Sequence, residues 1–320
     1  MLADIPPAVR IAQNMMEKNK QMEFKCGYVT IIGNTNVGKS TLINRIVGEK
    51  VAIVSPKAQT SRDNTIGIYN DDNSQIIFID TPGYHKTEHK LDEYMQENID
   101  NAINSDVNVL IYVIDGKKPL VEQYEKLANK GDKRSKKILV INKIDDTTFE
   151  RLYPQLARLN EIAKVDEILP LSALKGKNVD VLIDMIKKYL PTFDYEMRYY
   201  PVEQFTDKNV RFLSAEIIRE KVLLLYNEEI PHGVAVQITK FDESEDVIKI
   251  SADIYCEKDS HKMILIGKNG EAIKKLSTIS RIAIEKMLDA KVYLDLFIKV
   301  KPNWRVDHLM LDEFGYSNKD

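Results

Sequence analysis

Between residues 27 and 191 the chain alternates two patterns: short runs apolar at nearly every position, and longer stretches in which apolar residues recur every three or four. The runs YVTII (28–32), QIIFID (75–80), VNVLIYVID (107–115), KKILVIN (136–142) and EILPLSA (167–173) have the length of strands. Helical patterns fall between them at 90–104, 119–130, 150–164 and 178–190, and another begins at Lys39. Strands apolar on both sides must be covered on both sides, and their alternation with amphipathic helices predicts a mostly parallel sheet. This part of the chain is therefore expected to be an α/β domain.

The pattern changes after Leu190-Pro191. Residues 192–209 (TFDYEMRYYPVEQFTDKN) include Pro201 and have no periodicity, which predicts a linker. From 210 to 320 the order is different: a helix at about 211–227, strands at 234–241 and 246–256, a helix at 271–288 and a strand at 292–300. The second helix carries Ala272, Leu276, Ile279, Ala283 and Met287 on one stripe. This predicts a separate α+β module with its own core, and a chain of 320 residues has room for two domains. Residues 1–26 are read as a mobile or partly helical extension, because two prolines and Asp4 interrupt the apolar core that a signal peptide needs. No stretch approaches the roughly 20 apolar residues of a membrane-spanning helix. Cys26 and Cys256 stand far apart, which suggests neither a zinc site nor a disulfide framework and fits a reducing cytosol.

The first candidate chemistry is GNTNVGKST, Gly33 through Thr41, which matches G-x-x-x-x-G-K-[ST] between a predicted strand and a predicted helix. In such a loop the backbone N–H groups of Gly33, Asn34, Thr35, Asn36, Val37 and Gly38 curl round a polyphosphate, and the glycines leave it room. Lys39 is expected to reach the β- and γ-phosphate oxygens and Ser40 to ligate Mg²⁺, with the positive end of the following helix aimed at the phosphates. DTPG (Asp80, Thr81, Pro82, Gly83) follows the next core strand; Asp80 would hold the metal through water and the Gly83 N–H would sense the γ-phosphate. NKID then supplies Asn142, Lys143 and Asp145. A carboxylate at 145 can accept two hydrogen bonds from guanine N1–H and its amine, a donor pair that adenine lacks. In LSAL, Ser172, Ala173 and Leu174 form the last loop, with the Ala173 N–H suited to guanine O6. Each tetrapeptide alone could be a turn; together, in order and each at a strand's end, they specify guanine nucleotide.

The polar segment AQTSRDNTIG (58–67) lies where a switch that orders around Mg²⁺ and γ-phosphate belongs. Thr60 and Ser61 both carry a hydroxyl that could reach the metal, and the choice between them stays open. Tyr84 follows DTPG, where many small GTPases have a water-orienting glutamine, so slow intrinsic hydrolysis is expected. Asn36 has two readings, a ligand for a K⁺ ion that replaces an arginine finger, or a structural loop asparagine.

Charge enters last. The net charge of −3 argues against coating nucleic acid by bulk electrostatics, yet residues 258–305 hold eleven Lys or Arg against five Asp or Glu. The loop GKNG (Gly267, Lys268, Asn269, Gly270) sits there between a short apolar segment and a long amphipathic helix, an arrangement that resembles a bacterial-type KH domain clamping a single strand. Lys262, Lys268, Lys274, Lys275, Arg281, Lys299, Lys301 and Arg305 are the candidate phosphate contacts. Trp304, the single tryptophan, is a candidate for stacking on a base.

GNTNVGKSTLIN (33–44), QTSR (59–62), DTPGYHK (80–86), NKID, LSALKGKNVD (171–180), AEIIREK (215–221), IGKNG (266–270) and KVKPNW (299–304) together resemble the Era family of bacterial ribosome-assembly GTPases, from about Gly27 to Tyr316. One departure is Gln59-Thr60-Ser61-Arg62, where the family usually reads Q-T-T-R. The resemblance implies a P-loop GTPase domain over 27–191 and a type II KH domain over 210–320. It also implies GTP or GDP with Mg²⁺ as ligands, and binding near the 3′ end of 16S rRNA during small (30S) subunit assembly. A cytoplasmic monomer, loosely associated with the inner membrane, is the expected state. The competing reading is an RNA-binding assembly factor that keeps GTP mainly as a structural ligand.

Overall fold

The computed structural model describes residues 23–316 apart from 58–59, 85–86, 129, 131–133 and 245. The expected N-terminal extension, and the Gln59, His85 and Lys86 positions of the motifs, therefore lie outside the described residues.

The first sheet runs in the order β2-β3-β1-β4-β5-β6. Its strands are β1 (Phe24–Ile32), β2 (Thr65–Asp71), β3 (Ser74–Asp80), β4 (Val109–Asp115), β5 (Lys136–Asn142) and β6 (Glu167–Pro170). All neighbours are parallel except β2, which forms an antiparallel hairpin with β3 at the edge. Strand β1 starts at Phe24, so the stretch expected as extension gives up its last three residues to the sheet. Strand β2 was not expected at all. Its Ile66, Ile68 alternation is short and follows a polar loop, and only pairing with β3 makes it a strand.

The apolar runs explain the layers. Ile31, Ile76, Phe78, Ile111, Val113 and Val140 point to one face, beneath α1 (Lys39–Val47) and α5 (Val179–Tyr189). Ile32, Leu110, Tyr112, Ile114, Leu139 and Ile141 fill the other, beneath α2 (Lys90–Asn104), α3 (Leu120–Glu125) and α4 (Phe149–Ile162). Each fully buried aliphatic or aromatic side chain contributes about 1.5–3 kcal/mol of burial free energy, so two dry faces make this sheet rigid. Its loops at the carboxyl ends of β1, β3, β5 and β6 are thereby held in one place, which is where ligands bind in open α/β sheets.

The linker is less free than its composition suggests. Strand β7 (Thr192–Phe193) pairs antiparallel with the start of β1, and the Gln75 carboxamide accepts from Tyr199 and Tyr200 N–H. The second module begins with α6 (Val210–Leu225), capped by the Asn209 side chain. Its sheet has the order β10-β9-β8, from β8 (Ala235–Asp242), β9 (Ile248–Cys256) and β10 (Val292–Val300). Between β9 and β10 lie α7 (Asp259–Ile266) and α8 (Glu271–Leu288), and α9 (His308–Glu313) ends the fold. Ile218, Val222, Ile250, Ile254, Leu276 and Ile284 belong to its core.

A smaller apolar cluster joins the two modules. Leu91, Tyr94 and Met95 of α2 pack with Ala235, Tyr255, Trp304 and Leu311. Six residues separate helix α2 from the DTPG loop, and that helix is the first on the chain beyond the loop to take part in the contact.

Candidate nucleotide and RNA sites

The Gly33–Thr41 loop closes on its own lysine. Lys39 Nζ donates to Gly33 O at 3.0 Å and Asn34 O at 3.3 Å. Burial pushes its pKa down to about 8, against the pull of Asp80. Asp80 is equally enclosed, and burial raises its carboxyl to about 6 despite Lys39 and the Ser40 hydroxyl. Two opposite charges are thus held short of their water-solvated comfort, the condition in which a polyphosphate and a cation gain most from binding. Gly83 approaches the loop so closely that a Cβ there would stand 2.7 Å from Thr35 Cα.

The metal side is built from hydroxyls and one carboxylate. Ser40 Oγ donates to Asp80 Oδ2 at 2.8 Å and lies 3.1 Å from Ser61 Oγ. Asp80 Oδ1 is buried with no hydrogen-bond partner among the described residues. Hard oxygen donors converging beside an unsatisfied carboxylate oxygen fit Mg²⁺. Thr60 turns the other way, its hydroxyl donating to Lys57 O at 2.7 Å. Of the two candidate hydroxyls, Ser61 is the one beside Ser40 in this structure, although Thr60 also lines the cleft. The cleft is lined by Thr35, Lys39, Ser40, Thr60, Ser61 and Gly83 among others.

The base side is tied together by Asn142. Its Nδ2 donates to Val37 O at 2.9 Å, and its Oδ1 accepts from Lys143 N at 2.8 Å and Ala173 N at 2.9 Å. One side chain therefore joins three loops that are far apart in sequence. The Ala173 N–H, expected to meet guanine O6, donates to Asn142 here. Lys143 Nζ reaches Asn36 O at 2.5 Å and Asp115 Oδ2 at 2.8 Å. Asp145 is exposed, and its carboxylate makes no hydrogen bond to the described residues. Two supporting residues escaped the sequence reading. Asp115, at the end of β4, orients Lys143, and Arg45 donates to Leu174 O at 2.6 Å, which fixes the last loop from α1. Asp115 had a signal, a carboxylate closing an apolar strand; Arg45 had none.

Tyr84 points away from the cleft. It packs against the apolar face under α3 and α4, with its hydroxyl buried and Lys130 over its ring. Asn36 spends its amide on Pro56 O at 2.6 Å.

In the second module, Gly267, Asn269 and Gly270 all have positive φ (72°, 52° and 78°). A Cβ on Gly267 would meet Ala272 at 2.6 Å, so only glycine lets α7 turn sharply into α8. Met263 and Ile264 stand 68% and 52% exposed on α7 beside that turn, an apolar strip fit for bases. The basic candidates divide in two. Arg281, Lys299 and Arg305 are engaged by Glu285, Asp253 and Glu257, while Lys262, Lys268, Lys274, Lys275 and Lys301 have no ion pair among the described residues.

Trp304 is not available to a base. It is 0% exposed, its Nε1 donates to Gly233 O at 3.0 Å, and it packs edge-on to Phe314 and face-on to Tyr316. The expected stacking role fails because the residue is an anchor between the modules.

Comparison with known proteins agrees with both halves. The sequence profile of the family described as 50S ribosome-binding GTPase matches residues 28–143, and that of the KH domain matches 229–305. GTPase Era of Clostridium botulinum strain 657 is 44% identical over 303 residues, 92% of this chain and 99% of its own length. GTPase Era of Clostridium acetobutylicum is 46% identical over 300 residues, 92% of this chain and 98% of that protein. Among solved structures, a tyrosine-to-alanine variant of Aquifex aeolicus Era bound to GDP and AlF4⁻ superposes with a TM-score of 0.83 at 36% identity, covering 92% of this chain and 100% of that one. Era in complex with MgGDPNP and nucleotides 1506–1542 of 16S ribosomal RNA matches equally, with a TM-score of 0.83 at 36% identity over 92% of this chain and 99% of that one. Identity of 44–46% to these relatives, over 92% of this chain and across both modules, means that this chain belongs to the Era family of GTPases.

Proposed function

We propose that the chain is a GTP-hydrolysing switch that binds 16S rRNA near its 3′ end through the second module and assists assembly of the small ribosomal subunit. One observation carries the nucleotide half of the reading: Asn142 lashes the phosphate loop, NKID and the Ala173 loop into a single mouth, with Asp145 left open to solvent beside it. The solved relative that holds MgGDPNP and a 16S rRNA fragment supports the RNA half.

In this reading Lys39 leaves Gly33 O and Asn34 O for the β- and γ-phosphate oxygens, exchanging two carbonyls for full charges. Ser40, Ser61 and Asp80 hold Mg²⁺, which supplies charge neutralisation at the phosphates. Asp145 accepts the guanine N1–H and amine. The Gly33–Gly38 amides and the Gly83 N–H receive the oxygens on which charge develops as water attacks in line. Tyr84 cannot orient that water from its buried position, so turnover is slow without help. Asn36 is proposed to release Pro56 O and bind K⁺ beside the phosphates. The protein is proposed to work as a monomer in the cytoplasm, with any membrane association peripheral; no helix among the described residues is long and apolar enough to cross a membrane.

The test is Asp145→Asn. Reversing acceptor and donor should weaken GTP binding by about 100-fold or more and favour xanthosine triphosphate, because buried polar matching discriminates by factors of this order. A variant that kept its GTP preference in a binding titration would end the base-recognition assignment. Single-turnover hydrolysis in KCl against NaCl separates a switch from a protein that keeps GTP as a structural ligand: turnover should be faster in KCl, and none in either salt would favour the structural reading.

A further inference from the structure

Ser61 reaches the nucleotide cleft on a segment of which Lys50, Val54, Thr60 and Arg62 are held by the second module. Arg219 on α6 is 1% exposed; its Nε and Nη2 grip Glu216 at 2.7 and 2.6 Å, and Nη2 also donates to Thr60 O. On the other side of Ser61, Arg62 is 2% exposed and reaches wholly into the second module. Its Nη1 donates to Val234 O at 2.7 Å and its Nη2 to His232 O at 2.9 Å, while its guanidinium carbon lies 5.6 Å from the Trp304 ring centre and 5.7 Å from that of Tyr316. Further up the segment, Glu220 accepts Val54 N–H at 3.0 Å and pairs with Lys50 at 2.6 Å.

Ser61 is thus bracketed. The carbonyl before it and the side chain after it are both fixed by groups of the second module, and between them its hydroxyl comes to 3.1 Å from Ser40 Oγ. A polar segment with no regular secondary structure has no local reason to keep such a geometry, because ordering each residue costs about 1–2 kcal/mol of backbone entropy. Two buried guanidiniums are also costly by themselves. Each is offset in part by its partners: a bidentate carboxylate for Arg219, and two carbonyls with two aromatic faces for Arg62, while Arg219 Nη1 and Arg62 Nε stay buried without a hydrogen-bond partner among the described residues.

We propose that Arg219 and Arg62 are positioning residues of the nucleotide site, through which the second module sets the Ser61 hydroxyl against Ser40 and Asp80. Metal affinity and turnover then belong to both modules jointly, and whatever shifts α6 or the Trp304 cage alters them. This inference rests on the reading of Ser61 as the hydroxyl on the metal side.

The experiment uses the full chain with Ser61→Ala, Arg219→Ala, Arg219→Lys and Arg62→Ala, each checked by thermal melting. Hydrolysis of GTP in single turnover is followed against Mg²⁺ concentration, and binding of a fluorescent GDP is measured separately in EDTA. Groups that orient a metal ligand typically change affinity by about 10–100-fold when removed. Arg219→Ala and Arg62→Ala should therefore raise the Mg²⁺ needed for half-maximal turnover by about tenfold or more, as Ser61→Ala does, while GDP affinity in EDTA stays within about twofold. Arg219→Lys should recover part of the shift. If Ser61→Ala shifts the Mg²⁺ curve and the arginine variants do not, the inference falls and the reading of Ser61 stands. If Ser61→Ala leaves the curve in place, both fall. Should the arginine variants fail to fold, the unaltered protein still decides: adding Mg²⁺ to its GTP complex should change the emission of Trp304, the single tryptophan, and unchanged emission overturns the proposal.

Discussion

Glu220 shows how much a single side chain at the junction carries. It is 4% exposed and is met by Lys50, Lys221 and the Val54 amide. Burial alone would raise its pKa, but those partners outweigh burial and hold it below the ordinary glutamate value. A depressed carboxyl stabilises the fold at pH values above its unfolded pKa and loses that contribution as pH falls through the folded one. Glu220→Gln is therefore expected to cost about 2 kcal/mol at pH 7 in chemical denaturation. The gap to the parent should close as the pH drops below the usual glutamate range, and a gap independent of pH would show that charge is not what Glu220 contributes. At the same scale the sequence was most informative where chemistry needs one residue type. Lys39, Asp80 and Asn142 could be named from spacing alone. Thr60 and Ser61 could not be told apart, since both carry the required hydroxyl and only the backbone path past Arg219 turns one of them inward.

Among the elements, the strands buried on both faces were readable because periodicity reports burial directly, and the parallel sheet follows from them. Strand β2 was hidden, because an edge strand with a wet face beside a polar switch has weak alternation and owes its form to β3. The KPNW segment misled for a related reason. An isolated tryptophan among lysines looks like a base-stacking group, and nothing local announces that α2 and α9 will close over it. Its structural role is testable against the discarded one. Trp304→Ala should cost about 3–5 kcal/mol of stability as a large core deletion, whereas Trp304→Leu, which keeps an apolar filler but no ring, should bind single-stranded RNA within about twofold of the parent under conditions where it is folded. A stacking contact would instead lose about 1–3 kcal/mol of RNA affinity when the ring is removed, so a marked loss in folded Trp304→Leu would restore the stacking assignment.

For the molecule as a whole, charge arithmetic limits what RNA binding can look like. The excess of basic residues in 258–305 overstates the free charge, because Arg281, Lys299 and Arg305 are already paired internally. Of the eight candidate phosphate contacts, five lysines remain without an ion pair among the described residues, which should give a slope of log affinity against log salt of about −3 to −4 for a single strand. A titration across salt concentrations measures it directly, and a much steeper slope would mean that the internal pairs open on binding. Modest charge also places more of the affinity on the glycine turn and the exposed Met263 and Ile264 beside it.

What the amino-acid order determined by itself is the chemistry of two separate modules. The spacing of the phosphate loop, the NKID motif and the glycine turn is local, and each lies within a few residues of one strand or helix end. What only the tertiary structure decided is how the modules are joined: which hydroxyl faces the metal side, where Arg62 and Arg219 spend their charges, and why Trp304 is dry. Those contacts link residues some 160 to 250 positions apart. Their free energy arises from burial and from partners supplied by the other module, and neither quantity exists in any short stretch of sequence.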